Sequence, residues 1–267
     1  MSNSKSFGSG VAQCVAAVLG IAASLCLPSA VWANLSDTID KLKPSVVIVG
    51  MYRATDSPRF GMRGTGFVAG GGNLVVTNAH VVQMRPEDGS GRELVVQVRA
   101  GSSDWQMRQA KVLEIDAVHD LALVRIDGAA VRAAAIEDSD RVREGQAVAL
   151  MGFPIGGVLG FSPVTHRAMI SSITPVSLPA ATDQQLSAKV IRSLRAGTFN
   201  IFQLDGTAYP GNSGGPLFDP DTGAVLGVVN MVFVKGTKEA AITHPSGISY
   251  AIPSRYVREL IRSHGGG

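Results

Sequence analysis

Residues 210–217 read PGNSGGPL, and this stretch surrounds Ser213 with small residues. A serine hydroxyl among glycines has no bulky neighbour that would block the approach of a carbonyl substrate. Glycines also permit backbone conformations that direct several N–H groups at one point. The same residues fit an ordinary tight turn equally well, so this stretch alone leaves a nucleophile and a turn as alternatives.

A nucleophilic serine needs a base within hydrogen-bond reach and a third group that orients the base. Of the five histidines, His80 lies in VVTNAHVV, just past the end of an expected strand. Asp120 stands at the head of the apolar run Leu121–Ile126, where a partly buried carboxylate would require a donor such as an imidazole N–H. Each residue alone also has an ordinary interpretation, as a surface histidine or a strand-capping aspartate. Together they give the chain order His80, Asp120, Ser213.

The rest of the chain favours many short strands. Glycine contributes 31 residues and proline 13, and short apolar or alternating runs recur between turn-forming residues. Most neighbouring runs have no helical stretch between them, which argues against a parallel α/β fold. We expect an all-β fold, either an antiparallel sandwich or a pair of barrels. The runs are Val46–Met51, Gly66–Val68, Leu74–Thr77, Leu94–Arg99, Leu121–Ile126, Ala147–Met151, Ala168–Ile173, Ile201–Leu204, Pro216–Phe218, Ala224–Phe233 and Gly247–Ile252.

Two helices are expected in addition to the strands. After Pro253, Ser254 is placed to cap a helix whose apolar residues recur every three to four positions and which ends at Gly265. A second amphipathic pattern covers residues 183–194, inside an irregular stretch at 174–200.

Composition and charge exclude several classes of function. The 267 residues are 45% hydrophobic and 17% charged, as in a globular chain, and the formal net charge of +3 is not concentrated in any basic run. A nucleic-acid partner is therefore not indicated.

Both cysteines precede residue 34, and no third ligand with metal-ligand spacing accompanies His119 and Asp120. We expect no metal and no cofactor, and the sequence leaves the oligomeric state open.

The first 33 residues have the features of a secretory signal. Lys5 is the only charged residue before Asp37, residues 11–27 are almost wholly apolar, and small residues stand one and three places before a cut after Ala33. An uncleaved anchor is the alternative, but the apolar run is shorter than the roughly 20 residues of a spanning helix. We expect residues 1–33 to be removed and residues 34–267 to form one exported domain, periplasmic or secreted. Membrane contact is expected only if the signal stays uncleaved.

Five segments together resemble the HtrA (Deg) branch of the trypsin-like, chymotrypsin-fold serine proteases. They occur in the family's order and span most of the chain after the signal, reading GTGF at 64–67, TNAHVV at 77–82, DLALV at 120–124, PGNSGGPL at 210–217 and GISYAIP at 247–253. The resemblance implies two antiparallel six-stranded barrels packed together, followed by a short C-terminal helix. It also implies a catalytic site in the cleft between the barrels.

The resemblance further implies a role for each candidate residue. Ser213 would attack a peptide carbonyl, His80 would take the serine proton and return it to the leaving amine, and Asp120 would hold the imidazole in the right tautomer. The backbone N–H groups of Gly211 and Ser213 would form the oxyanion hole. The implied function is that of an exported serine endopeptidase that acts on polypeptides, above all unfolded ones, through an acyl-enzyme.

The wall of the substrate pocket departs from that of proteases that cleave after basic residues. Those proteases would need a carboxylate six residues before the serine, and that position is Thr207. Tyr209 stands where the family would have an asparagine, and Val228, Val229 and Asn230 are expected on the facing strand. We therefore expect a preference for a small or medium aliphatic residue before the scissile bond.

Two further departures concern regulation. The chain continues for 14 residues after Pro253, so we expect no PDZ domain of the kind common in HtrA proteins. The stretch at 174–200 is longer than the corresponding family loop. It either covers apolar surface or controls activity in place of a PDZ domain.

Two other functions would use the same residues. A protease-fold protein that is latent or has a misformed oxyanion hole would bind polypeptides without cleaving them. An esterase would use the same triad, but the strand-rich context and the His-before-Ser order argue against that arrangement. An active peptidase remains the favoured interpretation.

Overall fold

The computed structural model describes residues 34–84, 89, 91–101, 104–154, 160–175, 199–230 and 248–265. The expected signal segment at 1–33 and the expected helix at 183–194 lie outside these residues. The described helices are α1 (Leu35–Leu42), α2 (Ala79–Val82) and α3 (Ser254–Ser263). The described strands are β1 (Val46–Tyr52), β2 (Phe60–Ala69), β3 (Leu74–Asn78), β4 (Glu93–Arg99), β5 (Trp105–Asp116), β6 (Leu121–Ile126), β7 (Ala147–Gly152), β8 (Val164–Pro175), β9 (Asn200–Asp205), β10 (Pro216–Phe218), β11 (Val225–Asn230) and β12 (Ile248–Pro253).

The strands close into two antiparallel barrels of six strands each. The first barrel has the order β1-β2-β3-β6-β5-β4 and closes through β4 and β1, and the second has the order β10-β11-β12-β9-β8-β7 and closes through β7 and β10. This confirms the expected all-β fold of two six-stranded barrels with a short C-terminal helix. Of the two alternatives left open by the strand pattern, the pair of barrels is the correct one.

The alternation of side chains along the strands produces separate hydrophobic cores. In β1, Val47 and Val49 belong to the interior of the first barrel, whereas Val46 and Ile48 belong to a cluster shared with the second barrel. That shared cluster includes Phe218 of the second barrel. Because both faces of β1 are covered, the strand reads as a continuous apolar run. The burial of both faces fixes the barrels against each other, and the candidate site residues come from both of them.

Strand β5 was not expected from the pattern of apolar runs. Its 12 residues include glutamine, arginine and lysine, and none of them is fully buried. The strand is held by backbone pairing with β4 on one side and β6 on the other. Backbone pairing requires no alternation of apolar side chains, so the sequence carries little signal for this strand.

The C-terminal helix forms as expected, but its first residue has a different role. Ser254 is the first helical residue rather than the cap, and Pro253 occupies the cap position. The Ser254 hydroxyl donates instead to the carbonyl of Glu137 at 2.6 Å. The hydroxyl therefore ties α3 to the segment that connects the two barrels.

Among the described residues, α1 and α3 have eight and ten residues. No described helix has both the length and the apolar character that crossing a membrane requires.

Candidate active site

Asp120 holds His80 by two hydrogen bonds. Asp120 Oδ1 accepts the backbone N–H of His80 at 2.9 Å, and Asp120 Oδ2 lies 2.6 Å from His80 Nδ1. His80 follows β3 on the short helix α2, Asp120 directly precedes β6, and these two strands are paired. The two side chains meet because neighbouring strands place them at the same edge of the first barrel. An ionised carboxylate can only accept, so in the neutral imidazole Nδ1 carries the proton and Nε2 is left as an acceptor.

The backbone of Asp120 is also held firmly. Its carbonyl accepts the N–H of Ala79 and the side-chain amide of Asn78, each at 3.0 Å. Within the described residues, Asp120 is the one non-glycine residue with a positive φ, at 52°. Residues other than glycine adopt this conformation sparingly, with aspartate among those that tolerate it best. Hydrogen bonds on both the backbone and the side chain of Asp120 keep it there.

Ser213 lies in the loop between β9 and β10, where the second barrel meets the first. Its carbonyl accepts the N–H of Thr65 at 2.8 Å, and 5% of the residue is exposed. A β-carbon at Gly64 would lie 2.8 Å from the Ser213 carbonyl oxygen and 2.8 Å from Val81 Cγ2. Glycine at position 64 therefore allows the serine loop to approach the residue that follows His80.

Thr65 shapes the loop that precedes the serine. Its hydroxyl donates to the carbonyl of Gly211 at 2.7 Å and accepts the N–H of Phe153 at 3.1 Å. Gly211 has φ 103°, which glycine adopts without a steric penalty. Thr65 thus sets the direction of the Gly211 carbonyl. Sequence reasoning quoted Thr65 as part of GTGF but assigned it no role.

Two backbone N–H groups of the serine loop make no hydrogen bond to any described residue. Neither Gly211 N–H nor Ser213 N–H has an acceptor in the part of the chain that the structure describes, whereas the Asn212 N–H between them donates to the Tyr209 carbonyl at 2.9 Å. Donors with no partner in the free protein are available to a developing oxyanion. These are the two N–H groups that the sequence analysis assigned to the oxyanion hole.

One expected contact is not formed. As far as the described residues extend, no hydrogen bond joins Ser213 Oγ to His80 Nε2. Hydrogen bonds between catalytic groups are often long in a free enzyme and tighten when substrate is bound. The site therefore consists of a formed His80–Asp120 pair, two unpaired donors, and a serine hydroxyl not bonded to the pair.

Asn230 contacts the carboxylate of Asp120 directly. Its Nδ2 donates to Asp120 Oδ2 at 2.8 Å, and the residue is fully buried. Sequence reasoning placed Asn230 on the substrate-binding strand and did not foresee this contact. A role of Asn230 in binding substrate stays a prediction, whereas its side chain supports the same carboxylate oxygen that receives His80 Nδ1.

Replacing Asn230 by alanine is expected to lower kcat/KM for peptide cleavage by about tenfold to a hundredfold, since a hydrogen bond to a charged group contributes about 1.5–3 kcal/mol. Steady-state kinetics on a fluorogenic peptide would measure the loss. Asn73→Ala is the matched control, because Asn73 donates one hydrogen bond to Gly128 at an exposed position. Equal activities of the two variants would show that Asn230 does not support Asp120 functionally.

Thr207 and Tyr209 lie half-buried in the segment that leads into the serine loop. Ser249 on β12 holds this segment, because its hydroxyl donates to the carbonyl of Gly206 at 2.8 Å and accepts the N–H of Ala208 at 2.7 Å. The two bonded residues flank Thr207 on both sides. Sequence reasoning did not identify Ser249, whose hydroxyl fixes the backbone of the expected pocket wall.

The side chains of Val228 and Val229 are fully buried. Val228 belongs to the cluster shared by the two barrels and Val229 to the interior of the second barrel. Their strand contacts the serine loop through the backbone, since Gly214 N–H donates to Val229 O and Val229 N–H donates to Gly215 O, both at 2.9 Å. The structure thus places both valines in the core, and their contact with substrate stays a prediction.

His166 packs near the expected pocket wall, with its ring centroid 5.8 Å from that of Tyr209. Its Nε2 is buried and has no hydrogen-bond partner in the described part of the chain. Burial disfavours the charged imidazolium and lowers the pKa of His166. The His166 ring therefore binds a proton more weakly in the folded protein than in the unfolded chain.

Folding stability is expected to fall as the pH drops below 6.5, the ordinary pKa of histidine. Because the pKa of His166 is lower in the folded state, the unfolded chain binds the proton first, and stability is lost between the unfolded and the folded pKa. Urea unfolding above and below pH 6.5 would measure the difference in the free energy of unfolding. His166→Leu should reduce it, and an unchanged difference in that variant would assign the acid sensitivity to other groups.

A family model described as a trypsin-like peptidase domain matches residues 64–228. The mitochondrial serine protease HTRA2 of Bos taurus is 31% identical over 258 residues, which cover 95% of this chain and 48% of that protein. The mitochondrial HTRA2 of Drosophila ananassae is 32% identical over 198 residues, covering 74% of this chain and 38% of that protein. Serine protease HTRA1A of Danio rerio is 28% identical over 231 residues, which cover 85% of this chain and 40% of that protein. The chain spans less than half the length of these relatives.

Two solved structures of the HtrA-type protease AlgW, one with a tripeptide and one with a decapeptide, share the fold. Both have a TM-score of 0.61, at 21% and 20% sequence identity. The matches cover 86% and 87% of this chain, and 63% and 67% of theirs. The likeness is one of architecture and agrees with the two barrels described above.

Proposed function

Because the chain belongs to the trypsin-like peptidase family and is related to the HtrA serine proteases, we propose that it is a serine endopeptidase whose triad is Ser213, His80 and Asp120. The observation that carries the proposal is the His80–Asp120 pair, joined at 2.6 Å and leaving His80 Nε2 as an acceptor. The unpaired N–H groups of Gly211 and Ser213 support it, because an acyl-transfer site needs donors for the oxyanion.

In the proposed reaction, His80 Nε2 takes the proton of the Ser213 hydroxyl while Oγ attacks the peptide carbonyl carbon. The carbonyl oxygen becomes an oxyanion and accepts hydrogen bonds from the Gly211 and Ser213 N–H groups. The intermediate collapses when His80 gives its proton to the leaving amine, so that the C–N bond breaks and an acyl-enzyme remains. Water then attacks the ester with His80 again acting as base, which releases the acid and restores the serine. Asp120 stabilises the imidazolium in both halves and does not itself become protonated.

The proposed substrates are polypeptides, above all unfolded ones, with a small or medium aliphatic residue before the scissile bond. Thr207 offers no charge to a basic side chain, and it lies half-buried with Tyr209 in the segment that leads into the serine loop. The peptide-bound AlgW structures show peptides on a related fold and support polypeptides as the substrate class. A peptide-library profile dominated by arginine or lysine would contradict the aliphatic preference.

The proposed place of action lies outside the cytoplasm, in a periplasm or in the medium. It rests on the features of residues 1–33, a charged start, an apolar stretch and small residues before position 34. Cell fractionation together with N-terminal sequencing of the mature chain tests it. A cytoplasmic product that retains residue 1 would overturn the proposal.

The test of the activity combines fluorophosphonate labelling with cleavage of casein by the purified protein. The expected result is one adduct, located by peptide mass spectrometry on Ser213, together with fragments of casein. The second candidate is a latent protein that binds polypeptides, and it is favoured by the lack of a Ser213–His80 hydrogen bond among the described residues. A folded protein that binds casein without labelling or cleavage would support the latent form, and an adduct on another residue would contradict the proposed triad.

A further inference from the structure

A second histidine–aspartate pair directly precedes Asp120. Asp116 Oδ1 accepts the backbone N–H groups of Val118 and His119, each at 3.0 Å, and Asp116 Oδ2 lies 2.5 Å from His119 Nδ1. This is the same two-point arrangement by which Asp120 holds His80. The pair organises the turn between β5 and β6 that ends at Asp120.

The ring of His119 is held by aromatic residues from outside the first barrel. It stacks on Tyr256 of α3, with centroids 3.8 Å apart and planes 19° apart. Phe199, just before β9, meets the His119 ring edge-on at 4.6 Å, and it also contacts Tyr256 at 5.6 Å. Arg255 Nη2 donates to the Tyr256 hydroxyl at 2.7 Å and so fixes the partner of the stack. The turn is therefore attached to elements that belong to, or follow, the second barrel.

The electrostatics of the pair agree with this arrangement. Burial raises the pKa of the Asp116 carboxyl, but the hydrogen bonds from the ring and backbone of His119 and from Val118 outweigh it, so that the pKa is lowered overall. The ionised carboxylate of Asp116 is thus stabilised by the histidine that it orients.

The backbone of Asp120 is in a conformation that needs support from its neighbours. Its φ of 52° persists only where the surroundings hold it. The contacts of Asn78, Ala79, His80 and Asn230 hold it from one side. On the other side, the chain enters Asp120 from His119, which is fixed by Asp116 and by the aromatic stack.

We infer that His119 is a positioning residue, which uses its hydrogen bond to Asp116 and its stack on Tyr256 to hold Asp120 in the geometry that orients His80. This inference rests on the proposed function of Asp120. Among the described residues His119 has no hydrogen bond to His80 or Ser213, so it would act through Asp120. A displacement of reacting groups by about 1 Å lowers rates by about a hundredfold. We therefore expect the two contacts of His119 to affect kcat more than KM.

Three variants of the full chain separate the two contacts of His119. His119→Asn keeps a donor for Asp116 and loses the stack, His119→Phe keeps an aromatic ring and loses the donor, and His119→Ala loses both. We expect His119→Ala to lower kcat by about tenfold to a hundredfold with KM nearly unchanged. The other two variants should retain intermediate kcat values. His264→Ala, which changes a histidine of the C-terminal end 3.9 Å from Glu114, is the matched control and should keep full kcat.

A second readout needs no turnover. The His80 Nδ1 proton, shared with Asp120 across 2.6 Å, should give a low-field proton NMR signal, assigned by its loss in His80→Ala. We expect this signal to shift or broaden in His119→Ala and to stay in place in His264→Ala. If the wild-type chain proves inactive, the proposed function fails, and the NMR signal still decides whether His119 positions the pair.

Two results would overturn the inference. One is a wild-type kcat in a folded His119→Ala protein together with an unmoved His80 signal. The other applies if His119→Ala does not fold. In that case, His119→Asn and His119→Phe proteins that fold and keep both kcat and the His80 signal would show that neither contact positions Asp120.

Discussion

Replacing Ser213 by alanine is expected to abolish peptide cleavage and fluorophosphonate labelling while leaving the fold intact. Removing the nucleophile of a Ser-His-Asp triad lowers kcat by on the order of 10⁶, because the three groups act as a unit. The Ser213 hydroxyl makes no hydrogen bond to His80 among the described residues, and its carbonyl bond to Thr65 N–H involves the backbone alone. The urea midpoint of the variant should therefore stay close to that of the wild type.

Casein cleavage, labelling and urea unfolding would be measured on the same preparations. Ser171→Ala is the matched control, because Ser171 lies on β8 and its hydroxyl donates to the Gln203 carbonyl at an exposed position. The control should be labelled and should cleave like the wild type. Labelling that persists in Ser213→Ala would assign the nucleophile to another residue. A large drop in stability would assign the loss of activity to unfolding and not to the missing nucleophile.

The residues of the proposed triad could be selected from the sequence because each has a chemical requirement that shows there. A serine among glycines, a histidine just past a strand and an aspartate before an apolar strand form a combination with few ordinary explanations. The all-β class was predictable for a related reason, since short apolar runs such as Leu121–Ile126 are separated by turn residues and not by helices. Burial on both faces made these runs visible. The choice of two barrels over a sandwich came from the family resemblance.

Other parts of the site could not be read from the sequence. Asn230 contacts Asp120 across 110 positions of the chain, and an asparagine at the end of a strand has many ordinary uses. Thr65 and Ser249 act through single hydroxyls that bond to distant backbone groups. The sequence around a hydroxyl in a strand does not indicate which group that hydroxyl bonds. The strained φ of Asp120 follows from tertiary contacts and has no local sequence signal of its own.

Substituting alanine for Gly214 is expected to prevent the serine loop from packing against the first barrel. Gly214 has φ 86°, a conformation that residues with a side chain rarely adopt. A β-carbon there would overlap the carbonyl oxygen of Thr65 and the hydroxyl of Thr77, which are themselves joined by a hydrogen bond at 2.7 Å. Neither atom can move without disturbing the first barrel. We expect a loss of more than about 4 kcal/mol, which belongs to the exceptional range for a single substitution.

Gly71→Ala provides the matched control for this prediction. A β-carbon at Gly71 would meet no atom within 4 Å, and no positive φ is required there. The control should unfold at the wild-type urea concentration and retain labelling of Ser213. Gly214→Ala should yield little folded protein, since a typical domain has only about 5–15 kcal/mol of stability to lose. A Gly214→Ala protein with wild-type stability and labelling would show that the loop reaches its functional geometry without the close contact to Thr65 and Thr77.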